Sequence, residues 1–301
     1  MKKLALIMAA IMLICAFGAC GEGWKDDETT TQTGTTSLST TSTTLADIGG
    51  STTTTTVTGN GSEENTTTTK TSINGSDTTT KTQFSTVTST NLHEPVQPSV
   101  FDDAVIIGDS VTLKLNYYVS NQKNKGEYPL GKAKFLSSGS LGYTNALWDL
   151  NHKDNVHPRY NGTKYRIPDG VKATGAKKVF IMLGMNDFML YGFDGTIDSA
   201  EKLIGEIVQK SPDVKIYVQS VTPIIASKEG GSKTNANVRK LNAMLREMCD
   251  EHGWTYLDVA SVMIDENGAL KASYCGDPTT MGIHFTDSAC KAWIEYLKAN
   301  V

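Results

Sequence analysis

A stretch in which 28 of 62 residues are threonine and nine more are serine, residues 29–90, cannot bury enough apolar surface to offset the entropy of ordering its chain. It has few apolar anchors, no amphipathic period and threonine clusters at 52–56 and 66–69. Residues 21–99 are therefore expected to form a disordered tether. As a flexible coil of ~79 residues at ~5.5 Å × √n, it would span about 50 Å root-mean-square. Its hydroxyls are candidate O-glycosylation sites on composition alone, an unmodified spacer being the alternative. With this tract and the N-terminal segment set aside, roughly 200 residues remain, enough for one well-buried domain and too few for two of typical size.

Lys2 and Lys3 precede an apolar run over residues 4–17, too short to span a bilayer and of the length of a signal-peptide core. The run ends Phe17-Gly18-Ala19-Cys20, which resembles the bacterial lipobox, where small residues precede a cysteine that is diacylated and becomes the mature N-terminus. Phe17 stands where that pattern usually has Leu. The resemblance implies that residues 1–20 are a lipoprotein signal peptide, that Cys20 carries lipid, and that the chain is extracytoplasmic and held at the membrane by its anchor. The alternative is an ordinary secretory signal with a chance cysteine. The formal net charge is −4, the pI about 5.8, and no run of five Lys or Arg occurs, so the electrostatic footprint of a nucleic-acid partner is missing.

From residue 100 to 301 the pattern alternates between the two periods of regular structure. Short apolar runs at 104–107, 134–136, 178–183, 214–219 and 254–257 read as strands. Segments 111–120, 144–150, 197–210, 235–252 and 288–299 read as helices. In the fourth, Val238, Leu241, Met244, Leu245 and Met248 share one face. Five strand–helix alternations imply a parallel sheet covered on both faces, with ligands bound beyond the C-terminal strand ends.

Three segments fall at those ends. Gly108-Asp109-Ser110 follows the first strand. A serine where a strand hands over to a helix lies near a positive helix N-terminus and suits a nucleophile, although a helix N-cap is the plainer role for it. Gly184-Met185-Asn186-Asp187 follows the third strand, where an asparagine amide can donate to an oxyanion; the plainer role is a polar turn. Gly282-Ile283-His284-Phe285-Thr286 precedes the last helix, and its histidine can act as general base or simply be an exposed loop residue.

Together the three segments resemble, in order and over residues 101 to 301, the SGNH/GDSL hydrolase family. That resemblance implies a flavodoxin-like three-layer α/β/α sandwich with a five-stranded parallel sheet over residues 100–301. It also implies a serine ester hydrolase in which Ser110 is the nucleophile and His284 the base. The Ser110 amide, a glycine after the second strand and Asn186 build the oxyanion hole. Within Ser138-Gly139-Ser140-Leu141-Gly142, Gly139 fits that glycine best, with Gly142 the alternative. The family's acid lies three residues before its histidine, and Met281 occupies that position. A thioether cannot fix an imidazole tautomer as a carboxylate does. Asp277, in the same loop, is the candidate replacement; a main-chain carbonyl is another. Failing both, the domain is a catalytically impaired module that binds glycan or a surface partner.

The implied chemistry is acyl transfer to water through an acyl-enzyme, with no cofactor and no metal. His152 and His157 form no recognisable ligand pattern. Cys249, Cys275 and Cys290 allow at most one disulfide and one free thiol. A position beside surface polymers makes an acylated carbohydrate, carrying O-acetyl esters, the expected substrate. Phe188, Tyr191 and Phe193 are candidates to stack on a sugar, ordinary packing being the plainer role.

Overall fold

The computed structural model describes residues 69–73, 76–80 and 96–301. The segment expected to be a signal peptide, Cys20 at its end and most of the Thr-rich tract lie outside the described residues. Within that tract Thr69–Ile73 (β1) and Ser76–Thr80 (β2) pair antiparallel, Thr69 opposite Thr80 and Ile73 opposite Ser76. Low apolar content does not announce this hairpin, but β-branched threonine suits extended backbone. It belongs to a separate unit from the domain.

At the start of the domain's described residues, the Val96 N–H donates to the Lys298 carbonyl at 2.9 Å. The sheet is built from Ala104–Gly108 (β3), Lys134–Ser137 (β4), Lys178–Met182 (β7), Lys215–Gln219 (β8) and Thr255–Leu257 (β9), in the spatial order β4-β3-β7-β8-β9, every pair parallel. A small hairpin of Arg159–Tyr160 (β5) and Thr163–Lys164 (β6) lies outside it. The helices are Ser110–Asn124 (α1), Tyr143–Ala146 (α2), Ile167–Thr174 (α3), Phe188–Lys210 (α4), Asn235–His252 (α5) and Asp287–Asn300 (α6).

Strand alternation sorts the core into two layers. Val105, Ile107, Val179, Ile181, Ile216 and Val218 pack with Val171, Leu203, Ile207, Leu241 and Leu245 from α3, α4 and α5. Ala104, Ile106, Phe180 and Met182 face the other way, onto Leu115 and Val119 of α1 and Trp293 and Leu297 of α6. Each fully buried side chain of this kind contributes about 1.5–3 kcal/mol. The one polar atom that Trp293 carries into its layer is satisfied, its Nε1–H donating to Gln219 Oε1 at 2.7 Å. The result is the three-layer α/β/α sandwich that the alternation implies.

Three elements differ from the sequence reading. The helix expected over 144–150 ends at Ala146, where Leu147 and Trp148 donate to the carbonyls three residues back and the chain continues as turns. Helix α4 begins at Phe188 rather than Ile197 and breaks at Gly192 (φ 71°, ψ 180°). Helix α3 was hidden by Pro168 and Gly170, yet proline in a first turn is compatible with a helix. Cys249, Cys275 and Cys290 are all buried free thiols, so the one disulfide that the count permits is not formed.

Candidate active site

Gly108 at the end of β3 lies in register with Ser137 of β4 and Met182 of β7. The loops that follow these three strands therefore open side by side at one end of the sheet. The chain before α6 returns to the same place, because a histidine there reaches the residue after Asp109.

Asp109, not Ser110, caps α1: its Oδ1 accepts from the Val111 N–H at 2.9 Å. This relieves Ser110 of the capping role and leaves its hydroxyl to His284, whose Nε2 lies 2.9 Å from Ser110 Oγ. The other ring nitrogen, Nδ1, lies 2.7 Å from Asp277 Oδ2. A carboxylate only accepts, so the imidazole proton resides on Nδ1 and Nε2 is the acceptor for the serine hydroxyl.

Asp277 is a built feature of its loop. Its Oδ1 accepts from the Ile283 and His284 N–H groups at 3.0 Å each, and Oδ2 from Met281 N–H at 3.2 Å. Burial alone would push its carboxyl up, but the hydrogen bonds from the His284 side chain and backbone outweigh it and hold the group down at about 2. Met281 contributes only main chain here; its carbonyl accepts from Lys233 Nζ at 2.9 Å. The structure thus brings Ser110, His284 and Asp277 together, with the carboxylate supplied from a position seven residues before the histidine.

Asn186 stands across the same opening. Its Nδ2 donates to the Leu141 carbonyl at 3.0 Å and, more loosely, to Asp109 Oδ2 at 3.3 Å. Of the two candidate glycines, Gly142 has its N–H committed to Asn145 Oδ1 at 2.8 Å, which favours Gly139 as the donor. The Asp109 carboxyl is driven up to about 6 by burial, against the Val111 N–H and the nearby His284.

Asp187 carries a role that sequence reasoning missed. It is 1% exposed, and its two oxygens accept from Tyr143 N–H and Thr144 N–H at 2.9 Å each. A Cβ on Gly142 would lie 2.5 Å from one of those oxygens, so only glycine allows the loop to approach so closely. Asn145 completes the frame, its Nδ2 donating to the Ser140 carbonyl at 2.8 Å. Loop 138–145, which carries Gly139, is clamped by the Asn186-Asp187 pair in the turn that follows β7. Burial raises the Asp187 carboxyl, while the Thr144 and Tyr143 N–H groups pull it back. An aspartate after an asparagine reads as a turn residue, and nothing local points to partners more than forty positions away.

The aromatic candidates divide. Phe188 is buried and stacks on Phe193 at 5.9 Å, and Lys240 Nζ lies 4.3 Å over the Phe193 ring, so both are packing residues. Tyr191 is exposed. His152 stacks on Trp148, and His157 is buried with Nε2 2.8 Å from the Trp148 carbonyl. Among the described residues no group of three His, Cys, Asp or Glu side chains is placed to hold a metal ion.

A family model of the GDSL-like lipase/acylhydrolase family matches residues 106–292. Comparison with curated proteins gave no match. Among solved structures the chain is similar to a GDSL-like lipase from Bacteroides thetaiotaomicron, at 17% identity over 67% of this chain and 89% of that one with a TM-score of 0.47. It is also similar to a carbohydrate acetylesterase from Sinorhizobium meliloti, at 15% identity over 65% and 96% with a TM-score of 0.44.

Proposed function

The chain belongs to the GDSL-like lipase/acylhydrolase family, a family of carboxylic ester hydrolases, and from that premise we propose that Ser110, His284 and Asp277 are its catalytic triad and that it removes O-acetyl groups from a carbohydrate at the cell surface. The observation that carries this reading is the continuous relay from Asp277 Oδ2 through the His284 ring to Ser110 Oγ, at 2.7 and 2.9 Å.

In the first half-reaction His284 Nε2 takes the Ser110 proton as Oγ bonds to the ester carbonyl carbon. The carbonyl oxygen becomes an oxyanion, for which the Ser110 and Gly139 amides and the Asn186 side chain are the donors. The loose 3.3 Å contact of Asn186 with Asp109 is the one it gives up most readily. Collapse of this intermediate passes the proton from His284 to the departing alcohol and leaves Ser110 acylated. Water then repeats the sequence, giving its proton to His284 and releasing the acid. Asp277 keeps the imidazole in the required tautomer and stabilises the imidazolium at both stages.

The carbohydrate is supported by the lipobox-like segment ending at Cys20 and by the Thr-rich tract, the features expected of a domain held among surface polymers. The rival reading of an impaired binding module rests on Met281; the Asp277 carboxylate at His284 Nδ1 favours the catalytic reading over it.

Hydrolysis of p-nitrophenyl acetate by the protein and by Ser110→Ala and His284→Ala tests the assignment. The expected outcome is turnover in the wild type and a fall of at least ~10³-fold in either variant. Equal rates in wild type and Ser110→Ala would remove Ser110 as nucleophile.

A further inference from the structure

Among the described residues the exposed large hydrophobic side chains are Tyr117, Tyr128, Leu150, Met189, Tyr191 and Ile264. Two of them, Met189 and Tyr191, follow Asn186 within five positions. Tyr117 lies seven residues along α1 from Ser110, about 10 Å down the helix axis, and Tyr128 lies beyond the end of that helix. Tyr191 instead lies five residues after Asn186, within the first turn of α4. Its N–H donates to the Asp187 carbonyl at 2.9 Å, one helical turn beyond the residue that clamps the Gly139 loop.

The local backbone is arranged to present it. Phe188 is driven into the core while Gly192, at φ 71°, breaks the helix directly after Tyr191. A one-turn segment is thus set off from the rest of α4, with Met189 and Tyr191, 38% and 39% exposed, on its outside. Other aromatic rings of the domain have ring or cation partners: Trp148 has His152 at 4.0 Å, Trp254 has His252 at 4.4 Å, and Phe193 has Phe188 and Lys240. No ring or cation stacks on Tyr191 among the described residues. An exposed ring with open faces, a phenol hydroxyl at its edge and a flexible thioether nearby matches the amphipathic surface of a pyranose, whose C–H face is apolar and whose edge is polar.

We propose that Tyr191, with Met189, is the platform on which the sugar ring bearing the scissile acetyl group stacks. This rests on the esterase reading above and adds a residue that selects carbohydrate over other acetyl esters. Tyr191 is a specificity residue and takes no part in bond making.

The test compares acetate release from glucose pentaacetate with release from ethyl acetate, whose alcohol has no ring, in wild type, Tyr191→Ala and Tyr191→Phe. Tyr191→Ala is expected to raise KM for the sugar ester about tenfold or more with kcat within twofold. Its kcat/KM for ethyl acetate should stay within twofold of wild type, and Tyr191→Phe, which keeps the ring, should restore the sugar KM. An unchanged sugar KM in Tyr191→Ala overturns the platform and leaves the esterase standing, as does a wild type that hydrolyses ethyl acetate but not the sugar ester. Loss of both substrates in Tyr191→Ala, with folding intact by circular dichroism, makes Tyr191 structural. A wild type inactive on both overturns the esterase reading and the platform with it.

Discussion

Asp277 performs for His284 what the residue at position 281 cannot, and the reason is geometric. A carboxylate three residues before a histidine reaches its ring across a short turn. Here the chain from Asp277 to His284 folds back on itself, and three backbone donors, Met281, Ile283 and His284, converge on the carboxylate. Asp277→Asn keeps the shape but can present an amide N–H to Nδ1, favouring the wrong tautomer. Turnover is expected to fall on the order of 10³–10⁴-fold with KM little changed, measured on p-nitrophenyl acetate. The same residue predicts a pH dependence of stability. Its carboxyl is held at about 2 in the folded domain, below its unfolded value, so the unfolded chain binds more protons in that window. The stabilisation, on the order of 2 kcal/mol, is complete above about pH 5 and is lost as pH falls through about 2. Urea unfolding of wild type and Asp277→Asn should therefore show a stability gap at pH 6 that has narrowed to less than about half at pH 2.5; a gap of constant size would show that the carboxylate charge is not its source.

At the scale of elements, the loop after β4 and the turn after β7 behave as one unit. Asp187 receives Tyr143 and Thr144, Asn186 binds Leu141, and Asn145 ties Gly142 to Ser140. Asp187→Asn leaves one of its two N–H partners facing a donor, and the loop that carries Gly139 should loosen. We expect kcat for p-nitrophenyl acetate to drop about 10- to 100-fold with KM within twofold, because an oxyanion donor acts in the transition state; a change confined to KM would place the clamp outside the oxyanion hole. This coupling is what the sequence could not disclose. Helix α5 was legible to the residue because its apolar stripe repeats at helical spacing, and β3, β7 and β8 because their apolar runs end at turn residues. Asp187 was not, since its partners are set by the register of β4 against β3 and of β3 against β7. Asp277 was legible only as a carboxylate within the right loop, and the Gly192 break only as one glycine in an otherwise helical pattern. Properties written in local periodicity were readable; those written in the meeting of distant loops were not.

At the scale of the whole molecule, the reading of a surface enzyme depends on how the chain is held at the membrane. The proposed anchor is Cys20. A single acyl chain binds a bilayer only marginally, whereas two chains hold it stably, so a diacylated Cys20 should retain the protein in the membrane fraction and carry it into the detergent phase of a Triton X-114 partition. Cys20→Ser, expressed in a bacterial host, should move the protein to the aqueous phase and to the soluble extracytoplasmic fraction. Esterase activity per molecule should be unchanged, because the substitution lies far upstream of every residue of the relay. Wild type recovered in the aqueous phase would identify the N-terminus as an ordinary secretory signal. In that case the argument for a surface carbohydrate would rest on the Thr-rich tract and the site alone, and kinetics on soluble acetylated sugars would become the deciding measurement.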